Sequence, residues 1–123
     1  MERTNFENLR IYQLSEGLAD TIWQIVSEWN NFARDTVGKQ IVRSADSIGA
    51  NIAEGTGRYS LLENRRFAHI ARGSLYETKH WLRRAFRRNL LTEEQIKLLK
   101  SLIDELAPKL NAYINSINKP KNK

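Results

Sequence analysis

Arg65, Arg72, Lys79, Arg83 and Arg87 recur at steps of seven and four residues, a spacing that gathers side chains on one side of a helix. With Arg65 as reference at ~0° and about 100° per residue, Arg72 falls at ~340°, Lys79 at ~320°, Arg83 at ~0° and Arg87 at ~40°. Tyr76, His69 and His80 fall inside or beside that arc. On the opposite side Phe67, Ile70, Ala71, Ser74, Leu75, Thr78, Trp81, Leu82 and Ala85 form a predicted buried face. Such a cationic stripe suits phosphates, because each neutralised phosphate releases condensed counterions. Tyr76 in its midst suits stacking on an unpaired base. The plainer reading is a solvated helix face, since arginine is a good helix former. Like charges four apart slightly destabilise a helix, which weighs against a purely structural purpose. An anionic membrane surface ranks below both.

Catalytic patterns fare worse. Helix bundles that hold two irons use a Glu-x-x-His pair on each of two helices. Glu77 and His80 make one such pair. The other histidine, His69, has Arg66 three residues before it, and Lys79 and Arg83 would repel a metal. Of serines 44, 47, 60 and 74, neither Ser44 nor Ser47 shares a predicted helix with a histidine, which leaves only a base brought near by the fold to activate them. Gly55-Thr-Gly57 reads as punctuation between helices, not as a phosphate loop. The expectation is no enzyme, no metal and no cofactor.

Four helices must position these residues, and no stretch alternates like a strand. The first is predicted from about Glu7 to Trp29, with Ile11, Leu14, Leu18, Ile22, Ile25 and Trp29 as its stripe. A polar linker around Asn30, Asn31 and Arg34 follows. The second helix is predicted from near Thr36 to Gly55, with Val37, Ile41, Ala45, Ile48 and Ile52 inward. Beside them Val42, Gly49 and Ala53 form a seam of smaller residues, where Gly49 implies close backbone approach. Gly55 suits a left-handed helix end.

Ser60 and Glu63 have the spacing of a capping box, opening a third helix to about Arg88; Thr92 and Gln95 repeat it for the fourth. There Ile96, Leu99, Ile103, Leu106, Leu110, Tyr113 and Ile117 keep the phase of bundle packing on both sides of Pro108, which predicts a kink and not an end. Short connections predict an all-α, antiparallel up-down-up-down four-helix bundle over residues 1–117, with a disordered basic tail over 118–123. The apolar arcs of helices one and four are wider than one buried side needs, which predicts self-association. Trp23, Trp29 and Trp81 read as core or interface.

The 123 residues make one domain without cysteine, hence without disulfides. The charged N-terminus lacks the apolar core of a signal peptide, and no apolar run approaches the ~20 residues of a membrane span. The expected location is cytoplasmic. Net charge is +6, and Leu61 to Leu90 holds eight basic residues against two acidic. That segment carries the whole excess.

The run Arg43-Ser-Ala-Asp-Ser-Ile-Gly-Ala-Asn-Ile-Ala-Glu-Gly55, with Phe6-Glu-Asn-Leu and Phe67-x-x-Ile-Ala-Arg-Gly-Ser-Leu-Tyr-Glu77, resembles the signature of four-helix-bundle proteins encoded by intervening sequences of bacterial 23S rRNA genes. Arg43, Ser47, Asn51, Glu54 and Gly55 are its motif positions here, taken as structural. Many members carry proline where this chain has Gly49, which would bend helix two. The resemblance implies an antiparallel bundle, a barrel-like homopentamer and no catalytic residues. A protein similar in fold, the accessory variability factor of diversity-generating retroelements, works with a reverse transcriptase and RNA.

Residues and resemblance together lead to an oligomeric, non-catalytic bundle binding RNA or DNA with low specificity through Arg65, Arg72, Tyr76, Lys79, Arg83 and Arg87. The alternative is a scaffold whose basic face docks an acidic protein partner, as an accessory subunit of a reverse transcriptase would.

Overall fold

The structure is a computed structural model and describes residues 6–118. A single 3-10 turn, Phe6–Asn8, leads into α1, Arg10–Ser27. Ile11, Leu14, Leu18, Ile22 and Val26, spaced by three and four, are all buried. The Glu28 and Trp29 amides donate back to the Ile25 and Val26 carbonyls and close the helix two residues before its predicted end.

The predicted linker is not a linker. The Asn30 side chain accepts a hydrogen bond from the Ala33 amide at 3.0 Å, a helix N-cap that starts α2 five residues early. We treat residues 31–56 as α2: a first turn Asn31–Ala33, a widened π-turn Arg34–Gly38, then regular helix Lys39–Thr56. The stretch after Gly49 continues as helix, unbent by any proline.

Helix α3 spans Leu61–Arg87 and α4 spans Glu93–Asn118. Ser60 accepts from the Glu63 amide at 3.1 Å, whereas the Glu63 carboxylate faces Arg58 at 3.8 Å. Thr92 and Gln95 form the full reciprocal box, at 2.9 and 3.1 Å. Between α3 and α4, Asn89 takes a left-handed φ of 61°, which asparagine tolerates better than most residues. Helix α4 runs through Pro108, and Leu106 and Leu110 on either side are fully buried. Of the predicted tail, only Asn118 belongs to the described backbone; 119–123 lie outside it.

Each helix packs against its two neighbours in a closed ring, α1 on α2, α2 on α3, α3 on α4 and α4 on α1. Contacts such as Thr78 with Ser44 and Ser74 with Ser47 run in opposite residue order, the mark of antiparallel neighbours. The architecture is the expected all-α four-helix bundle. Leu18, Ile22, Ile41, Ile48, Ile52, Leu75, Leu106, Leu110 and Ile114 fill the centre, each nearly or fully inaccessible. Ile114 joins the core without having been expected there.

The broadest interface is α2 against α3, and small residues make it so. Ala68, Ala71, Ser74 and Thr78 of α3 are buried, as are Ser44 and Gly55 of α2. A Cβ on Gly55 would stand 2.6 Å from Asn64 Oδ1 and 3.0 Å from Phe67 Cβ. Gly55 is therefore the close-approach glycine of this α2–α3 interface, seated inside the helix; among the described residues no glycine has a positive φ, so it is not a left-handed cap. Gly49 is also buried, yet a Cβ there would meet Tyr12 and Ser15 of α1 at ordinary contact distances of 3.4 to 3.7 Å. The seam predicted around Gly49 thus belongs to Gly55, toward α3 and not α1.

Polar groups zip this seam. Thr78 Oγ1 lies 2.9 Å from Ser44 Oγ and donates also to the Ser74 carbonyl at 2.8 Å. Ser47 and Ser74 share a hydrogen bond of 2.9 Å, and Asn51 Nδ2 donates to the Ser47 carbonyl and hydroxyl. Each such bond contributes about 1 kcal/mol net, but leaving one half unpaired costs more. No buried side-chain nitrogen or oxygen lacks a partner among the described residues.

Candidate nucleic-acid interface

The zipped seam fixes the rotation of α3 and so decides what faces outward. Ile70, expected in the core, is 41% exposed, and Ala68 takes its place. The reason is the ring of neighbours: α3 is covered by α2 on one flank and α4 on the other, so its buried arc shifts toward α4 and leaves Ile70 outside.

The same shift sorts the predicted cations. Arg65 and Arg72, expected to be free, are half-buried. Arg72 reaches across to α4, donating to Asn111 Oδ1 at 3.2 Å, with His69 Nδ1 at 3.4 Å. Tyr76 is 57% exposed, with Lys79 Nζ 5.6 Å from its ring centroid. Lys79, Arg83 and Arg87 are exposed and succeed one another by about 6 Å along the axis. The stripe is a structure of two halves: a lower half partly absorbed by the fold and an upper half open to solvent.

Lys79 and Arg83 also edge an open groove of about 400 Å³ between α3 and α4. Leu82, Phe86, Ile96 and Ile103 give it an apolar floor, and Phe86 is half exposed. Lys100 on the far rim is neutralised by Asp104 at 2.7 Å. None of the eight cations between Leu61 and Leu90 forms an ion pair among the described residues; the pairs use Arg10, Arg34, Arg58, Lys100 and Lys109 instead.

Residues weighed for catalysis are engaged elsewhere. Glu77 accepts from the Trp81 indole at 3.4 Å, and His80 packs edge-on against that same ring at 4.9 Å. Ser44, Ser47 and Ser74 belong to the seam, and Ser60 caps α3. Among the described residues no three acidic or histidine side chains converge as metal ligands, and no helix is long and apolar enough to cross a membrane.

The motif positions divide as well. Ser47, Asn51 and Gly55 build the seam, and Glu54 pairs with Arg58 at 2.6 Å. Arg43 does none of this. It is exposed, without a hydrogen bond or ion pair among the described residues.

Two features escaped the sequence reading because they join α1 to α2. Glu16, Asp20 and Asp46 flank one groove, where desolvation first and the Asp20 carboxylate second push the Asp46 carboxyl above its ordinary value. Nearer the α1–α2 connection, Trp23 lines a second groove together with Arg34, Lys39 and Arg43. Only spacing between helices could have revealed either.

A closed ring of four antiparallel helices with a polar small-residue seam and one open basic flank defines an up-down-up-down four-helix bundle. The chain belongs to the 23S rRNA-intervening sequence protein family, whose model matches residues 7–112. Among solved structures it is similar to a protein of unknown function from the S23 ribosomal protein family of Bacteroides thetaiotaomicron VPI-5482. The two share 28% identity over 85% of this chain and 97% of that one, with a TM-score of 0.75. No functionally curated protein matches the chain.

Proposed function

We propose that this protein is a non-catalytic, self-associating cytoplasmic bundle that binds RNA or DNA with little sequence preference along the upper half of α3. One observation carries the reading: the eight cations from Arg65 to Arg88 lack any carboxylate partner among the described residues. Unpaired cations beside an exposed tyrosine and an apolar groove match what a single strand presents, phosphates alternating with flat bases. The contacts centre on Tyr76, Lys79, Arg83 and Arg87, with Arg65 and Arg72 at the margin. Both family descriptions name a ribosomal context, which makes RNA the first ligand to try.

Self-association draws on two glycines. Gly17 of α1 and Gly73 of α3 are exposed within helices, and a Cβ on either would meet nothing within 4 Å. Each costs about 1 kcal/mol relative to alanine without a return inside the chain. Close approach by the backbone of another copy supplies the missing reason.

Fluorescence anisotropy with a labelled single-stranded RNA and a duplex of equal length tests the reading. Tyr76→Ala should weaken the single strand by about 1–3 kcal/mol and the duplex far less. Equal losses on both ligands would remove stacking from the account. Wild type that binds neither at low salt, yet captures an acidic protein at fixed stoichiometry, would replace it with the scaffold reading.

A further inference from the structure

On the α1–α2 side, a groove of about 410 Å³ opens beside the π-turn. Trp23 forms one wall and is 62% exposed, although an indole of that size is normally covered. Val26, Val42 and Gly38 lie at the apolar base, where a Cβ on Gly38 would stand 2.6 Å from Val26 Cγ1. The glycine thus keeps the two helices close and the base of the groove shallow. Arg34, Lys39 and Arg43 line the groove, and no carboxylate of the described residues does. Arg34 is held by Asn31 at 2.7 Å and lies 3.6 Å from Asp35. Lys39 and Arg43 are free of ion pairs and hydrogen bonds among the described residues. Arg43 is also the one motif position without a task inside the fold.

We propose that this groove is a second site for single-stranded nucleic acid, with a base stacked on Trp23 and its flanking phosphates held by Lys39 and Arg43. The inference rests on the nucleic-acid reading of α3 and extends it to a second face. An exposed indole with unpaired cations on one side matches the base-and-phosphate alternation of a strand. An acidic peptide would satisfy the cations but leave the π-face of Trp23 unused. In the ring of helices the α1–α2 groove lies across the bundle from the α3–α4 groove. Both lie toward the end that holds the α1–α2 and α3–α4 connections, so one copy grips two stretches of strand from opposite sides.

The test is the stoichiometry of a five-nucleotide single-stranded oligouridylate, read by isothermal titration on the full chain. Wild type should bind two per protomer. Trp23→Ala should weaken one site about tenfold or more, and Lys39→Glu with Arg43→Glu should abolish it, leaving the other unchanged. Lys79→Glu with Arg83→Glu should remove the other site and spare this one. All these side chains are exposed, so unaltered thermal melting confirms that each variant folds. One site per protomer, lost with the α3 variant and untouched by the Trp23 variant, overturns the inference while leaving the α3 reading intact. No binding at either site overturns both. Inorganic tripolyphosphate competing at this groove as well as the oligonucleotide does would overturn the stacked base. So would a fall in sedimentation mass on Trp23→Ala, which would make the groove a seat for a second copy.

Discussion

Among the described residues, helix α3 has every buried polar group answered toward α2, and toward solvent none of its cations meets a carboxylate. The glycines repeat the contrast. Gly55 sits where a methyl would strike Asn64 and Phe67, whereas Gly73 faces open space. A residue with a reason inside the chain is there to make the fold. One without such a reason costs stability and points outside the molecule. By that measure Ser44, Ser47, Asn51, Gly55 and Thr78 are architecture, while Tyr76, Lys79, Arg83, Gly73 and Arg43 are the positions that the proposed function assigns to a partner.

The contrast can be broken most severely at Gly55. Gly55→Ala should cost about 1–3 kcal/mol in urea unfolding, because Phe67 Cβ and the Asn64 carbonyl must both give way. A variant as stable as wild type would mean that the α2–α3 seam is looser than its geometry.

Gly73→Ala sharpens the other side. In a helix facing only water the change should stabilise by about 0.5–1 kcal/mol. If another copy packs there, the methyl holds the two backbones apart. Sedimentation equilibrium should then show wild type above the 14.3 kDa of one chain and the variant shifted toward it. A higher melting temperature with unchanged mass would leave Gly73 to solvent.

Asp46 gives the smallest effect. Its folded pKa is raised, so the folded chain holds the proton more tightly than the unfolded chain does. The stability this adds is present at acid pH and lost as pH rises through the folded value. Asp46 is exposed and its charge screened by water, so Asp46→Asn should raise stability at pH 7 only slightly, by about 0.5 kcal/mol at most, with no gain near pH 3. A gain that persists at pH 3 would assign the effect to packing instead.

Periodicity was enough to read the four helices, because Leu14, Leu18, Ile22 and Ile48, Ile52 repeat at helical spacing and bury as they should. It failed where a tertiary partner decides. Asn30 looked like a linker residue until its side chain was seen to cap Ala33. Gly49 reads as the close-approach glycine and Gly55 as a helix end, and only the nearness of Asn64 and Phe67 reverses the two. Arg72 shared the angular arc of Lys79, but Asn111 of α4 lay within its reach. The Trp23 groove joins residues of two helices that no single helical wheel brings together.

The central claim is that the upper half of α3 neutralises phosphates. Lys79→Glu, Arg83→Glu and Arg87→Glu in one chain, titrated with single-stranded RNA over a range of salt concentrations, test it most directly. Circular dichroism should show an unchanged fold, since all three side chains are exposed. With about 0.7 counterions released per phosphate on a single strand, losing three contacts should flatten the slope of log K against log salt by about 2. A folded triple variant with wild-type affinity and an unchanged slope would contradict the claim.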